Sequence, residues 1–239
     1  MNSCCGVIRI QAWWRGVFYR RSNLPLMLRK IKKYLTGNKE LLFCGDMEDG
    51  RSNSFIDEHT VIRLLQKRYG SKIRMPPRPR HWFDMSVLDA ERGWIPIDIK
   101  SSAIRKHRNR DNGSGWASCM YALTDMSMDL EKDYKGHEPM TQFYHKLEHR
   151  EYNSSSRDYY YLILNKMDFH DVIINSLRGM QSFSANSSNP PFQVCWNNNR
   201  DYVYRPIGES VRMFLEVIGK TTESPAQVFI RRVHELASR

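Results

Sequence analysis

Trp82-Phe83-Asp84-Met85-Ser86-Val87-Leu88, a short polar interval, and Trp94-Ile95-Pro96-Ile97-Asp98-Ile99-Lys100 form the stretch on which the fold turns. Two apolar runs of strand length flank Glu91-Arg92-Gly93, the pattern of a β-hairpin. Side chains i and i+2 of a strand share a face, so Asp98 and Lys100 point one way and Ile97 and Ile99 the other. Asp84 opens the partner strand and can lie beside Asp98. Two carboxylates and an ammonium on one face of a buried sheet are costly unless a cation or each other compensates. Such a set suits a hard divalent cation, with the lysine beside it to position or activate water.

The spacing of Asp84, thirteen intervening residues and Asp98-Ile99-Lys100 resembles the PD-(D/E)xK nuclease superfamily, which includes many type II restriction endonucleases. Phe83 stands where that family usually has proline. A second acid-x-Lys triplet, Asp133-Tyr134-Lys135, has no apolar strand around it and reads as surface. The resemblance implies an α/β (α+β) restriction-endonuclease-like core, a central mixed sheet flanked by helices, with a helix-strand-strand-strand-helix-strand order. It also implies Mg²⁺, or Mn²⁺ in its place, held by Asp84 and Asp98. A helix before the sheet often supplies one more acid in that fold, and Glu58 is the candidate for a catalytic or metal-ligating role. Glu58 shares a face with Val61 and Ile62, though an acid in a first helical turn is also favoured by the helix dipole.

Net charge is +11, which favours polyanionic partners because Lys and Arg release counterions from phosphates. The first 39 residues hold nine basic residues and no acid. A second cluster, Lys100, Arg105, Lys106, Arg108 and Arg110, follows the acid-bearing strand and reads as a loop gripping DNA phosphates. Asn, Gln and Arg pair bidentately with base edges, so Gln193, Asn197, Asn199 and Arg200 are the candidates for sequence reading. Asn and Pro are turn residues too, and plain turn chemistry is the alternative for that loop.

Residues 7–35 repeat Val7, Ile10, Trp14, Val17 and Phe18 at helical spacing, and Pro25 breaks or restarts the helix. Ile10, Gln11, Arg15, Gly16 and Arg20 match the IQ motif, which resembles the helices bound by calmodulin-like proteins. Residues 1–44 therefore read as a basic helical appendage and 45–239 as the nuclease-like domain, with Gly45–Ser54 a boundary loop and Asp57–Tyr69 a helix. Arg74–Arg80 carries three prolines and three arginines, a stiff approach to the first strand. Trp116–Met128, Pro139–Tyr152, Glu209–Ile218 and Pro225–Ala237 read as helices, Tyr159–Leu164 as the strongest strand, and 181–200 as a polar loop; Phe169–Met180 fits strand or helix. The order resembles restriction-endonuclease-like proteins of giant DNA viruses, some with an IQ-type start. That likeness implies the cytoplasm or nucleus of a host cell, and a homodimer, since many enzymes of the superfamily cut both strands as dimers.

Other chemistries fit less well. No apolar run approaches the roughly 18 residues that span a bilayer, and Arg9 and Arg15 interrupt the start, so neither a signal peptide nor a membrane span is expected. Cys4, Cys5, Cys44, Cys119 and Cys195 form no CxxC pair, which points to buried thiols in a reducing, intracellular compartment. Cys119 lacks a histidine partner. His145-Lys146-Leu147-Glu148-His149 fits the H-x-x-E-H zinc-peptidase pattern, but it opposes Phe143 and Leu147 and reads as a solvated face. No glycine-rich phosphate loop or Gly-x-Ser-x-Gly elbow occurs. A catalytically silent nucleic-acid-binding or calmodulin-regulated adaptor is the alternative to an endonuclease.

Overall fold

The computed structural model describes residues 24–38, 50–104, 110–168, 170–186 and 188–219. Ile10, Gln11, Arg15, Gly16, Arg20, Arg105, Lys106, Arg108 and the 225–237 helix lie outside them. The described elements run α1 (Leu26–Thr36), α2 (Gly50–Tyr69), β1 (Ile73–Arg74), β2 (Met85–Asp89), β3 (Gly93–Ser102), β4 (Asp111–Asn112) and α3 (Trp116–Leu123). They continue with α4 (Glu138–Glu148), β5 (Tyr160–Asn165), β6 (Val172–Ser176), β7 (Ser184–Ala185), β8 (Phe192–Val194) and α5 (Ile207–Ile218).

The hairpin forms as its pattern predicts. β2 and β3 pair antiparallel with Met85 opposite Ile97 and Asp89 opposite Gly93. Gly93 turns the chain at φ +71, a conformation that costs a glycine little. β3 then pairs in parallel with β5, Asp98 opposite Tyr161, and the mixed five-stranded sheet takes the order β1-β2-β3-β5-β6. The fold is therefore mixed α/β with helices on both faces of the sheet. Val172–Ser176, open between strand and helix in sequence, is the edge strand β6.

Alternation along the strands divides the core in two. Ile95, Ile97, Ile99, Tyr160, Leu162 and Leu164 face α1 and α2, while Tyr161 and Ile163 face α3, α4 and α5. No helix among the described residues is long and apolar enough to cross a membrane.

Two readings of the N-terminal part are corrected. α1 is not appended to the core: Met27, Leu28, Ile31 and Leu35 are buried on the sheet with Val172 and Ile174. Its basic residues occupy the outer side, so amphipathicity alone cannot separate a docked helix from a free one. Asp89 ties it down, one oxygen accepting from Met27 N at 3.0 Å and the other from the hairpin amides of Glu91 and Arg92. The 45–54 boundary loop is also shorter than expected, because α2 already begins at Gly50. Glu58 thus lies beyond the first turn, which removes the helix-dipole explanation for it.

The 181–200 region is more ordered than a polar loop. β8 pairs with β4 on one side and β7 on the other in a small antiparallel sheet, Asn112 opposite Gln193. Gly113 follows directly, and its N donates to Phe192 O at 2.8 Å. A Cβ on Gly113 would meet the buried Phe192 ring at 2.3 Å, so glycine is what allows this approach.

Candidate active site

Asp84 sits at the mouth of β2. Its N donates to Ile97 O at 2.9 Å and its Oδ2 accepts from Ile99 N at 2.7 Å, so side chain and main chain together extend the ladder. Continuing the register by one residue from Met85–Ile97 puts Asp84 opposite Asp98. Asp98 is only 7% exposed, and its Oδ1 lies 3.1 Å from Lys100 Nζ. The hairpin pattern of the sequence thus brings Asp84, Asp98 and Lys100 together on one face.

Ser114, which the sequence reading missed, donates to Asp98 Oδ2 at 2.5 Å. It stands in the Gly113–Gly115 link between β4 and α3, next to the β4–β8 pairing. The signal available was a small, flexible Gly-Ser-Gly ahead of an apolar helix. Tyr159 and Tyr161 close the floor, both fully buried, and the Tyr159 hydroxyl donates to Trp82 O at 2.8 Å. Ser114→Ala would take away the donor that orients the Asp98 carboxylate.

The electrostatics follow from burial and like charge. Burial, then the neighbouring Asp98 carboxylate, hold the Asp84 carboxyl well above its ordinary range. Glu58 is pushed up to about 7, first by burial and then by Asp98. Burial alone would lower the Lys100 ammonium, but Asp98, Asp84 and Glu58 outweigh it and hold it above its usual range. Glu58 comes from α2 on the other face of the sheet and acts on the pair through its field. No group of three or more His, Cys, Asp or Glu stands at ligand spacing among the described residues.

Two carboxylates facing each other, the Asp84 carboxyl held above its ordinary range by burial and then by Asp98, lie beside a cleft of about 420 Å³. Mg²⁺ commonly takes only one or two protein carboxylates and fills its other positions with water and phosphate oxygens. The Asp84–Asp98 pair fits that demand.

The cleft also corrects the reading of Asp133-Tyr134-Lys135 as surface. All three residues line it together with Ser114 and Asp84. Tyr134 is buried against Trp82, and Lys135 pairs with Asp133 at 2.5 Å. A buried His81 lies 3.8 Å from Asp133, and burial lowers its imidazole.

Of the expected base readers, one is committed to the interior. Asn199 is fully buried: its Oδ1 accepts from Gln181 N and Ser182 N, and its Nδ2 donates to Ser182 O and Cys195 O. With its amide bonded inside the chain, it has nothing left for a base edge. Arg200 grips Asp171 with two hydrogen bonds of 2.8 and 2.9 Å, and Asn197 Oδ1 accepts from Arg200 Nε. Gln193 Nε2 donates to Ala185 O. The segment braces Gly113 through Phe192 O, and for Asn199 the turn-chemistry alternative holds. Arg110 is exposed.

The remaining motifs stay bland. His145 and His149 stack at 4.3 Å on the solvent side of α4, and burial pushes the Cys119 thiol well up, away from a nucleophilic thiolate. No family model, no curated protein and no solved structure matches the chain.

Proposed function

We propose that the chain is a Mg²⁺-dependent DNA endonuclease that hydrolyses phosphodiester bonds. The observation that carries this reading is Asp84 set opposite Asp98, with Lys100 3.1 Å away, at the wall of an open cleft. The order of helix, three strands, helices and strand supports a restriction-endonuclease-like core, as does the parallel β3–β5 pair. A net charge of +11 suits a polyanionic substrate.

Asp84 and Asp98 would hold Mg²⁺, or Mn²⁺ in its place, which when bound polarises the phosphodiester and lowers the proton affinity of water. Ser114 fixes the Asp98 carboxylate, and Ile99 N fixes Asp84. Lys100 stays an ammonium among three carboxylates, so it orients the attacking water and stabilises the charge growing on the phosphate; the alternative role of general base suits it less. Glu58, its carboxyl pushed up to about 7 and lining the larger cleft with Asp84, would take up a proton released nearby.

A plasmid-nicking assay with and without Mg²⁺ tests this. Wild type should nick only with Mg²⁺, and Asp98→Ala and Lys100→Ala should each lose about 10²–10⁴-fold in rate. Variants that cut as fast as wild type, or a wild type that never cuts, end the nuclease reading.

A further inference from the structure

Arg80 is the described arginine whose position lacks a structural explanation. It sits at φ 57, a left-handed conformation that a non-glycine residue adopts at a cost. Arg150 shares that feature at φ 55, but it follows the C-terminus of α4, where a left-handed residue is ordinary and where its N bonds Leu147 O. Arg80 has no helix to end. It follows Pro79 in a turn, a place that glycine or asparagine usually fills when φ is positive.

Two clefts meet at this residue. One, of about 420 Å³, runs past Asp98, Ser114 and Lys135, and the other, of about 880 Å³, past Glu58 and the Met75–Pro79 strap. Arg80, His81, Phe83 and Asp84 line both. The strap carries Pro76, Pro77 and Pro79, whose fixed φ angles stiffen the approach to Arg80. Of the neighbouring cations, Lys135 pairs with Asp133, the Arg74 guanidinium lies 3.9 Å from the centre of the Trp94 ring, and Arg78 lines only the larger cleft. Arg80 is exposed and has neither an ion pair nor a hydrogen bond among the described residues.

We infer that Arg80 is a DNA-backbone clamp, its guanidinium gripping a phosphate next to the one that would be cleaved beside Asp84, Asp98 and Lys100. The inference rests on the nuclease reading of that site. A planar guanidinium binds phosphate oxygens in pairs, and a rigid, left-handed turn presents it without the freedom a flexible loop would have to lose. The duplex would then lie along the continuous groove that the two clefts make, with Arg80 at its midpoint. Backbone strain kept at a position where glycine would be relaxed is what a ligand contact explains.

The test is binding of a fluorescent DNA duplex over a salt series in chelator, where nothing is cut, with thermal unfolding of the same proteins. Arg80→Gly should weaken binding about tenfold and flatten the slope of log K against log salt by about 0.9, the loss of one phosphate contact. Its Tm should match wild type or exceed it by up to about 4 °C, because the strain is gone. Arg80→Lys should keep most of the slope and lose part of the affinity. An unchanged slope and affinity in Arg80→Gly, a Tm lower by more than about 4 °C, or a wild type that does not bind DNA overturns the inference. A wild type that binds with an Arg80-dependent slope but never nicks keeps it and ends the nuclease reading. One that nicks while its slope ignores Arg80 does the reverse.

Discussion

Asp84→Asn is expected to stabilise the fold at pH 8 while abolishing Mg²⁺-dependent cleavage. The substitution keeps an oxygen to accept from Ile99 N and removes one of two facing charges. Burial and Asp98 hold the Asp84 carboxyl well above its ordinary range, so the folded state binds its proton more tightly than the unfolded chain does. A carboxyl of this kind does not penalise folding below its unfolded pKa. It penalises folding increasingly as pH rises through its folded value, and Glu58, raised to about 7, adds to the same trend. Stability from this cluster should therefore fall from pH 5 to pH 8.

Mg²⁺ competes with those protons, so it should raise the wild-type Tm more at pH 8 than at pH 5. Asp84→Asn should gain at pH 8 by roughly 2–4 °C for each kcal/mol of relieved repulsion. It should respond little to Mg²⁺ and lose at least about 10²-fold in nicking rate. Calorimetry at the two pH values, with and without Mg²⁺, checks the first part and plasmid nicking the second. A variant less stable at pH 8 than wild type would contradict the repulsion, and one that still cuts would remove Asp84 from the site. Gain of stability with loss of function is the usual mark of charges kept together for chemistry.

Ile31→Ala should cost about 2–5 kcal/mol, a large share of the roughly 5–15 kcal/mol that holds a typical domain folded. Ile31 is fully buried in α1, which covers the face of the sheet made by Ile95, Ile97, Leu162 and Ile174. Deleting its branch leaves a cavity that the packed neighbours cannot collapse into. Urea unfolding followed by tryptophan fluorescence measures it. A loss below about 0.5 kcal/mol, the ordinary size of a surface effect, would mean that α1 hangs free of the core. Removal of residues 1–44 should be worse still, exposing the part of that face that α1 covers.

The hairpin was legible because everything that makes it is local. Alternation of apolar and charged residues sets the strand faces, Glu91-Arg92-Gly93 sets the turn, and the two together bring Asp84 to Asp98. The buried run at Tyr160–Asn165 was equally plain, since an unbroken apolar stretch needs cover on both faces. Other features carry the same residues in either outcome. A basic amphipathic helix looks alike whether it docks on its own sheet, as α1 does, or waits for a partner. Asn199 is an apt base reader and an apt turn brace, and only its buried hydrogen bonds decide between them. Asp133-Tyr134-Lys135 reads as surface because no strand flanks it, yet a cleft wall can be built from a loop.

By itself, then, the sequence determined the acid-bearing hairpin, the mixed α/β class and the placement of Asp84, Asp98 and Lys100 on one face. Tertiary structure alone decided that Ser114 anchors Asp98 from sixteen residues away, that Glu58 feels the pair from the opposite face, and that Arg80 stands where two clefts join. The division is physical. Strand period and turn chemistry act over a few residues and leave a pattern in the letters, whereas a proton affinity or a groove arises only when separate elements pack and exclude water between them.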